Sequence, residues 1–119
     1  MRIAALALGW LYVAVIVWLS LTPSPPHVDI EGSDKLEHFL AYGVLMFWFG
    51  VLYRSARARI GWALFCVALG VALEFAQRAT GYRSFELADM AADALGVLAG
   101  ALAALSLPRA AGAAGKETP

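Results

Sequence analysis

A few proton-exchanging side chains interrupt the apolar stretches of this chain, and they indicate what chemistry it could perform. His38 can gain or lose a proton near neutral pH. Carboxylates can orient such an imidazole, act as a second acid or base, or hold a divalent cation. The sequence therefore predicts a proton-transfer site, with a divalent cation as a candidate cofactor, whose catalytic residues are His38, Glu74, Asp89 and Asp93.

Other polar residues are candidates for holding a substrate. Arg83 lies in the stretch TGYRSFE and carries a guanidinium suited to bidentate capture of a phosphate or carboxylate. A basic side chain beside carboxylates and an imidazole is suited to a substrate with a lipid anchor and an anionic head group. The predicted substrate-binding residues are Lys35, Tyr42, Gln77 and Arg83.

The elements that carry these residues are predicted to cross a membrane. The chain has 119 residues, of which 61% are hydrophobic and 15% charged, and its mean hydropathy is +0.70. Each apolar segment is close to the roughly 20 residues that a helix needs to span the hydrocarbon core, where only a helix satisfies its own backbone. The predicted fold is an all-α, integral membrane four-helix transmembrane bundle with spans at about 3–21, 36–53, 60–77 and 87–107. It occupies residues 1–109 and is followed by a disordered cytoplasmic tail, 110–119.

Basic residues predict the direction of the helices. Arg54, Arg57 and Arg59 fall between the second and third segments, whereas the loop 22–33 contains no Lys or Arg. The positive-inside rule then places both termini in the cytoplasm and the polar residues toward the outer face. The net charge is zero, so no nucleic-acid partner is expected. The single cysteine, Cys66, excludes an internal disulfide and a cysteine-based metal cluster.

With the direction assigned, helical periodicity brings the polar residues to one level. His38 and Tyr42 are four residues apart on one face of the second helix, as are Asp89 and Asp93 on the fourth. His38, Glu74 and Asp93 are expected roughly 5–10 Å below the outer helix ends. Ionisable residues at such depth usually face the bundle interior and indicate function.

Four residues are assigned structural roles. Asp34 is predicted to be the N-cap of the second helix, with Glu37 three residues later completing a capping-box-like start. Gly96 and Gly100 form a small-xxx-small pair that lets a neighbouring helix approach closely.

The order and spacing of these residues resemble the VanZ-like family. The similarity covers about Ser33 to Ala101 and consists of three strings, D-K-x-x-H-F-x-x-Y at Asp34, E-x-x-Q at Glu74 and R-x-x-E-x-x-D-x-x-x-D-x-x-G-x-x-x-G at Arg83. One difference is Asp93, where many members carry Asn. The resemblance implies a bacterial inner-membrane protein of the cell envelope, linked to resistance to glycopeptides such as teicoplanin, and an enzyme acting on lipid head groups or lipid-linked cell-wall intermediates.

Three functional hypotheses follow. The chain is an enzyme that transfers or hydrolyses a lipid head group, with a membrane lipid or lipid-linked precursor as its partner. Alternatively, it is a non-catalytic module that binds such lipids or an envelope protein. In the third hypothesis, the polar residues only join the helices by hydrogen bonds. Because such bonds average about 0.6 kcal/mol in membranes, joining helices is an inefficient reason for so many charges. No oligomeric state is predicted.

Overall fold

The structure, a computed structural model, describes residues 2–23, 32–81 and 86–107. It contains four helices: α1 (Arg2–Leu21), α2 (Ser33–Leu52), α3 (Ala56–Thr80) and α4 (Leu87–Ser106). All four are long and apolar enough to cross a membrane. The predicted all-α four-helix transmembrane bundle is therefore confirmed, and the chain is a multi-pass membrane protein. The predicted tail, 110–119, lies outside the described residues.

The ends of the helices differ from the ends of the apolar segments for local reasons. Helix α3 starts at Ala56, four residues before the predicted span, because the Ser55 hydroxyl accepts the N–H of Ala58 at 3.1 Å and caps the helix. It ends where Gly81 adopts φ 81°, a left-handed conformation that glycine tolerates. Hydropathy marks the membrane core, whereas capping residues mark where a helix begins and ends.

The predicted N-cap of α2 is wrong. Gly32, with φ 81°, occupies the N-cap position, and the helix begins at Ser33. Asp34 consequently lies inside the first turn, where its negative charge still interacts favourably with the helix dipole. The physical reason is that glycine enters the left-handed region without steric cost, so the chain turns into the helix two residues earlier than a capping carboxylate would require.

Helices α2 and α4 run parallel and form the closest pair, although α3 lies between them in the sequence. A Cβ atom on Gly96 would collide with the carbonyl oxygen of Phe39, and one on Gly100 would collide with that of Gly43. The backbones can approach this closely only because both α4 positions lack a side chain. We call this contact the glycine seam.

The remaining helices complete the bundle around α2. Helix α1 packs on α2 and α3, while α3 also packs on α4. The core contains Leu45, Met46 and Phe49, and the Phe49 ring stacks on Trp62 with centroids 3.9 Å apart. Large apolar side chains, among them Leu64, Leu98, Leu102 and Leu105, cover the outer surface. A surface of this kind is suited to lipid tails and would be unfavourable in water.

Candidate active site at one end of the bundle

The beginnings of α2 and α4 and the last third of α3 bring a set of charged side chains together at one end of the bundle. We call it the acidic end, and it consists of Asp34, Lys35, His38, Glu74, Glu86, Asp89 and Asp93. Three of these carboxylate residues, Glu74, Asp89 and Asp93, are buried. Five carboxylates thus face one lysine and one histidine among the described residues.

His38 and Asp93 form the most direct contact between α2 and α4. The Nδ1 atom of His38 lies 2.7 Å from Oδ1 of Asp93, whose side chain is 4% exposed. When Asp93 is ionised its carboxylate only accepts hydrogen bonds, so the Nδ1–H group of His38 donates a hydrogen bond to it. In a neutral imidazole this leaves Nε2 with a lone pair, which is the arrangement that a general base requires.

A glycine on α3 makes room for this pair. A Cβ atom on Gly70 would stand 2.7 Å from Oδ2 of Asp93. Any larger residue would therefore push α3 away or displace the carboxylate. Sequence reasoning did not include Gly70 in the site, although its position four residues before Glu74 on the same helix places it on the same face.

Asp89 stands between the two basic residues of α2. Its Oδ1 lies 2.7 Å from Nζ of Lys35, and its Oδ2 lies 3.7 Å from Nε2 of His38. The first contact is a close ion pair in which Oδ1 lacks a well-aligned hydrogen bond, whereas the second distance is too long for a hydrogen bond. Asp89 therefore pairs with Lys35 and forms no hydrogen bond with Nε2 of His38.

Three carboxylates surround the ammonium group of Lys35. Its Nζ lies 2.6 Å from Asp34, 2.8 Å from Glu86 and 2.7 Å from Asp89. The contacts with Asp34 and Glu86 are hydrogen bonds, whereas the contact with Asp89 is a close ion pair. Lys35 was predicted to bind substrate, and an anionic head group would have to compete with these three partners.

The same three carboxylates also have the spacing of a candidate cation site. Single oxygens of Asp34, Glu86 and Asp89 lie within 4.8 Å of one another, as metal ligands must. Because the Lys35 ammonium contacts all three, a divalent cation would have to displace it. The arrangement of the three carboxylates therefore fits the Lys35 ammonium. Glu86 was not among the predicted site residues, although it lies three residues before Asp89 at the start of α4.

Glu74 and Gln77 connect α3 to the other helices. Oε1 of Glu74 accepts the backbone N–H of Glu86 at 2.7 Å and so supports the start of α4. Nε2 of Gln77 donates to the carbonyl of Ser20 near the end of α1 at 2.9 Å. Glu74 thus belongs to the acidic end, while the amide of Gln77 is directed to α1. Spacing alone could not distinguish these two positions.

The other two predicted substrate-binding residues differ in what surrounds them. Tyr42 is buried in the apolar core one helical turn after His38, on the side of the site that faces the middle of the bundle. Arg83 lies outside the described residues, so its predicted contact with an anionic group stays a prediction.

Four membrane-spanning helices that enclose an Asp–His pair at one end define a polytopic membrane protein with a candidate acid–base site. A protein-family model described as VanZ/LLP1 matches residues 9–108. The chain therefore belongs to the VanZ-like family, which confirms the resemblance seen in the sequence. No curated protein and no solved structure shows a significant match to it.

Proposed function

We propose that this protein is a membrane enzyme that transfers or hydrolyses the head group of a membrane lipid or a lipid-linked precursor of the cell envelope. The observation that carries the proposal is the 2.7 Å contact between His38 Nδ1 and the buried Asp93 carboxylate. A buried carboxylate that orients an imidazole is a means of activating a nucleophile, and acid–base catalysis of this kind contributes about 10²–10⁴-fold to a rate.

The proposed reaction uses His38 twice. Nε2 takes the proton from the O–H of a water molecule or an acceptor alcohol as its oxygen bonds to the phosphorus or carbonyl centre of the head group. The bond to the leaving oxygen breaks, and the imidazolium returns the proton to that oxygen. Asp93 stabilises the imidazolium in the interval, so the histidine is regenerated in each cycle.

The depth of the site supports a lipid substrate. His38 is the sixth residue of α2, so it lies roughly 5–10 Å below the helix end. That is where head groups meet acyl chains in a bilayer. A lipid could therefore present its head group to His38 while its chains stay beside the apolar outer surface.

Charge sets a condition on the substrate. Five carboxylates face Lys35 and His38 among the described residues, so these residues alone would repel an anion. We propose that Arg83 supplies the positive charge for an anionic head group, as its guanidinium geometry allows.

The proposed location is the inner membrane of a bacterium, with the acidic end outward and both termini in the cytoplasm. Arg54, Arg57 and Arg59 lie at or after the end of α2, opposite the acidic end, and support this orientation through the positive-inside rule.

A second candidate is a non-catalytic binding or accessory module. The contacts of Lys35 with three carboxylates favour it, because they show that much of the acidic end is satisfied within the protein. Such a module would bind a lipid head group or an envelope protein without turnover.

One experiment separates the candidates. A deletion strain is complemented with the wild type, His38→Gln or the control Glu37→Gln, which alters an exposed neighbour on the same helix. Untargeted lipidomics is expected to show a lipid or precursor species restored by the wild type and by Glu37→Gln, but not by His38→Gln at equal protein level. Restoration by His38→Gln would refute the enzyme and leave the binding module. Teicoplanin susceptibility of the same strains tests the proposed link to glycopeptide resistance.

A further inference from the structure

We propose that Lys35 is a positioning residue that keeps Nε2 of His38 available as the base by holding Asp89 away from it. The inference rests on the proposed function of His38. The sequence predicted that Lys35 binds substrate. In the structure its ammonium contacts three carboxylates of the protein, so we assign it a different role.

The argument begins with the position of Asp89 between two competing basic groups. Its carboxylate is buried, so it requires a charged or hydrogen-bonding partner within the protein. Lys35 provides one at 2.7 Å, and His38 Nε2 stands at 3.7 Å, only slightly beyond hydrogen-bond distance. A rotation of the Asp89 side chain could exchange one partner for the other.

Loss of the Lys35 ammonium would make that exchange favourable. The unpaired Asp89 carboxylate would find its nearest donor in a protonated Nε2. His38 would then lie between two carboxylates, since Asp93 already holds Nδ1 at 2.7 Å. An imidazole held in this way is an imidazolium with both nitrogens acting as donors, and it has no lone pair with which to take a proton from a nucleophile.

The partners of Lys35 explain how it resists this exchange. Asp34 on α2 and Glu86 at the start of α4 contact the same ammonium from the more exposed side, with side chains 55% and 43% exposed. The backbone N–H of Glu86 is in turn held by Glu74. The ammonium is thus fixed between two helices, and Asp89 is fixed with it.

The other groups near His38 do not provide a substitute for Lys35. The titratable residues that act on the imidazole are Asp89 and Asp93 from α4 and Glu74 from α3, all of them acidic. Within the described part of the site, Asp89 lies within ion-pair distance of two basic side chains, Lys35 and His38.

Nitrogen NMR of the histidine tests the inference without any substrate. The full-length protein is labelled with ¹⁵N-histidine in lipid nanodiscs, and His27→Gln removes the signal of the second histidine. The parent protein is measured over a series of pH values, and the comparison is made at a pH where neutral His38 with the proton on Nδ1 predominates. Lys35→Met should raise the imidazolium share by about threefold or more, because an uncompensated carboxylate then stands beside Nε2.

Two further variants keep the test decisive if Lys35→Met folds poorly. Lys35→Arg keeps a cation beside Asp89 and should give the parent spectrum. The double variant Lys35→Met with Asp89→Asn removes the competing carboxylate and should return His38 to the neutral form. An unchanged spectrum in Lys35→Met, or a parent protein that stays mostly imidazolium throughout the pH series, would overturn the inference.

This readout is independent of the lipid experiment. If the NMR result is as expected while His38→Gln still restores the lipid profile, Lys35 controls the protonation of His38 and the enzyme proposal fails. If the lipid profile depends on His38 but the NMR spectrum does not respond to Lys35, the enzyme proposal stands and the positioning role fails.

Discussion

The two ends of the α2–α4 pair use charge in different ways. At the end opposite the acidic end, Arg59 donates to the carbonyls of Gly50 at 2.8 Å and Ala104 at 3.3 Å, and Arg54 donates to that of Leu107 at 2.7 Å. Gly50 and Ala104 lie in the last turns of α2 and α4, where carbonyls lack the usual helical partner, and Leu107 is the C-cap of α4. The carbonyl of Ala104 also accepts the N–H of Leu107 at 3.3 Å. We call this the arginine end, and capping of helix C-termini explains these three arginine hydrogen bonds.

The acidic end contains charged residues that neither helix capping nor the helix dipole explains. Asp34 and Asp89 lie in the first turns of α2 and α4, where the helix dipole favours a carboxylate. Asp93 is a full turn deeper, and Glu74 lies six residues before the C-terminal end of α3, so neither carboxylate is in a first turn where the helix dipole would favour it. The comparison teaches that Asp93 and Glu74, together with His38, are the residues for which a chemical explanation is most needed.

Disrupting the glycine seam should have the largest effect, because the seam holds both ends together. Gly100→Leu would force a side chain into the backbone of α2 and should destabilise the protein by about 3 kcal/mol or more. Denaturation in sodium dodecyl sulfate followed by circular dichroism measures this loss. The control Gly61→Leu adds the same side chain on α3, where nothing lies within 4 Å of the new Cβ. Equal stability of the two variants would contradict the seam.

Changes to Asp93 should affect the acidic end alone. They separate two roles of its carboxylate, which are orienting the His38 imidazole and stabilising the imidazolium by charge. Asp93→Ala removes the acceptor of the Nδ1 proton and should lower the rate of lipid conversion by about 100-fold or more. Asp93→Asn keeps an acceptor oxygen but not the charge that stabilises the imidazolium, so a loss of about tenfold is expected. The rate is measured in isolated membranes on the species found by lipidomics. A larger loss in Asn than in Ala would be incompatible with this role.

The arginine end should give the smallest effect and leave chemistry unaltered. Arg59→Met removes two hydrogen bonds to helix ends and should lower the free energy of unfolding by about 1 kcal/mol. Arg57→Met, at an exposed position two residues earlier, is the matched control and should change stability little. Both variants should restore the lipid profile of the deletion strain fully. If Arg59→Met abolished lipid conversion in a folded protein, the two ends would not be functionally distinct.

The spans and the convergence of polar residues could be predicted because they depend on hydropathy and helical period. His38, Asp89 and Asp93 were assigned to inward faces from spacing alone, and the structure brings them together. The partners of Lys35 could not be predicted, because a long side chain at a helix end has several directions open to it. The role of Glu86 depends on how the chain enters α4, and the N-cap of α2 depends on the φ angle of Gly32, neither of which hydropathy reveals.

The parallel pairing of α2 and α4 has a consequence for how the protein is made. Helix α4 is synthesised last of the four, so during translation Lys35 and His38 enter the bilayer before Asp89 and Asp93 exist. Charged residues within a membrane helix cost up to about 3 kcal/mol each at its centre and less near its ends. Until α4 inserts, the charged residues of the earlier helices are unpaired and the free energy of the chain in the bilayer is higher. Insertion of α4 pairs these charges and lowers that free energy. Correct insertion of the last helix and completion of the His38 site are one event, so a ribosome that stops before α4 leaves a product without its acid–base pair.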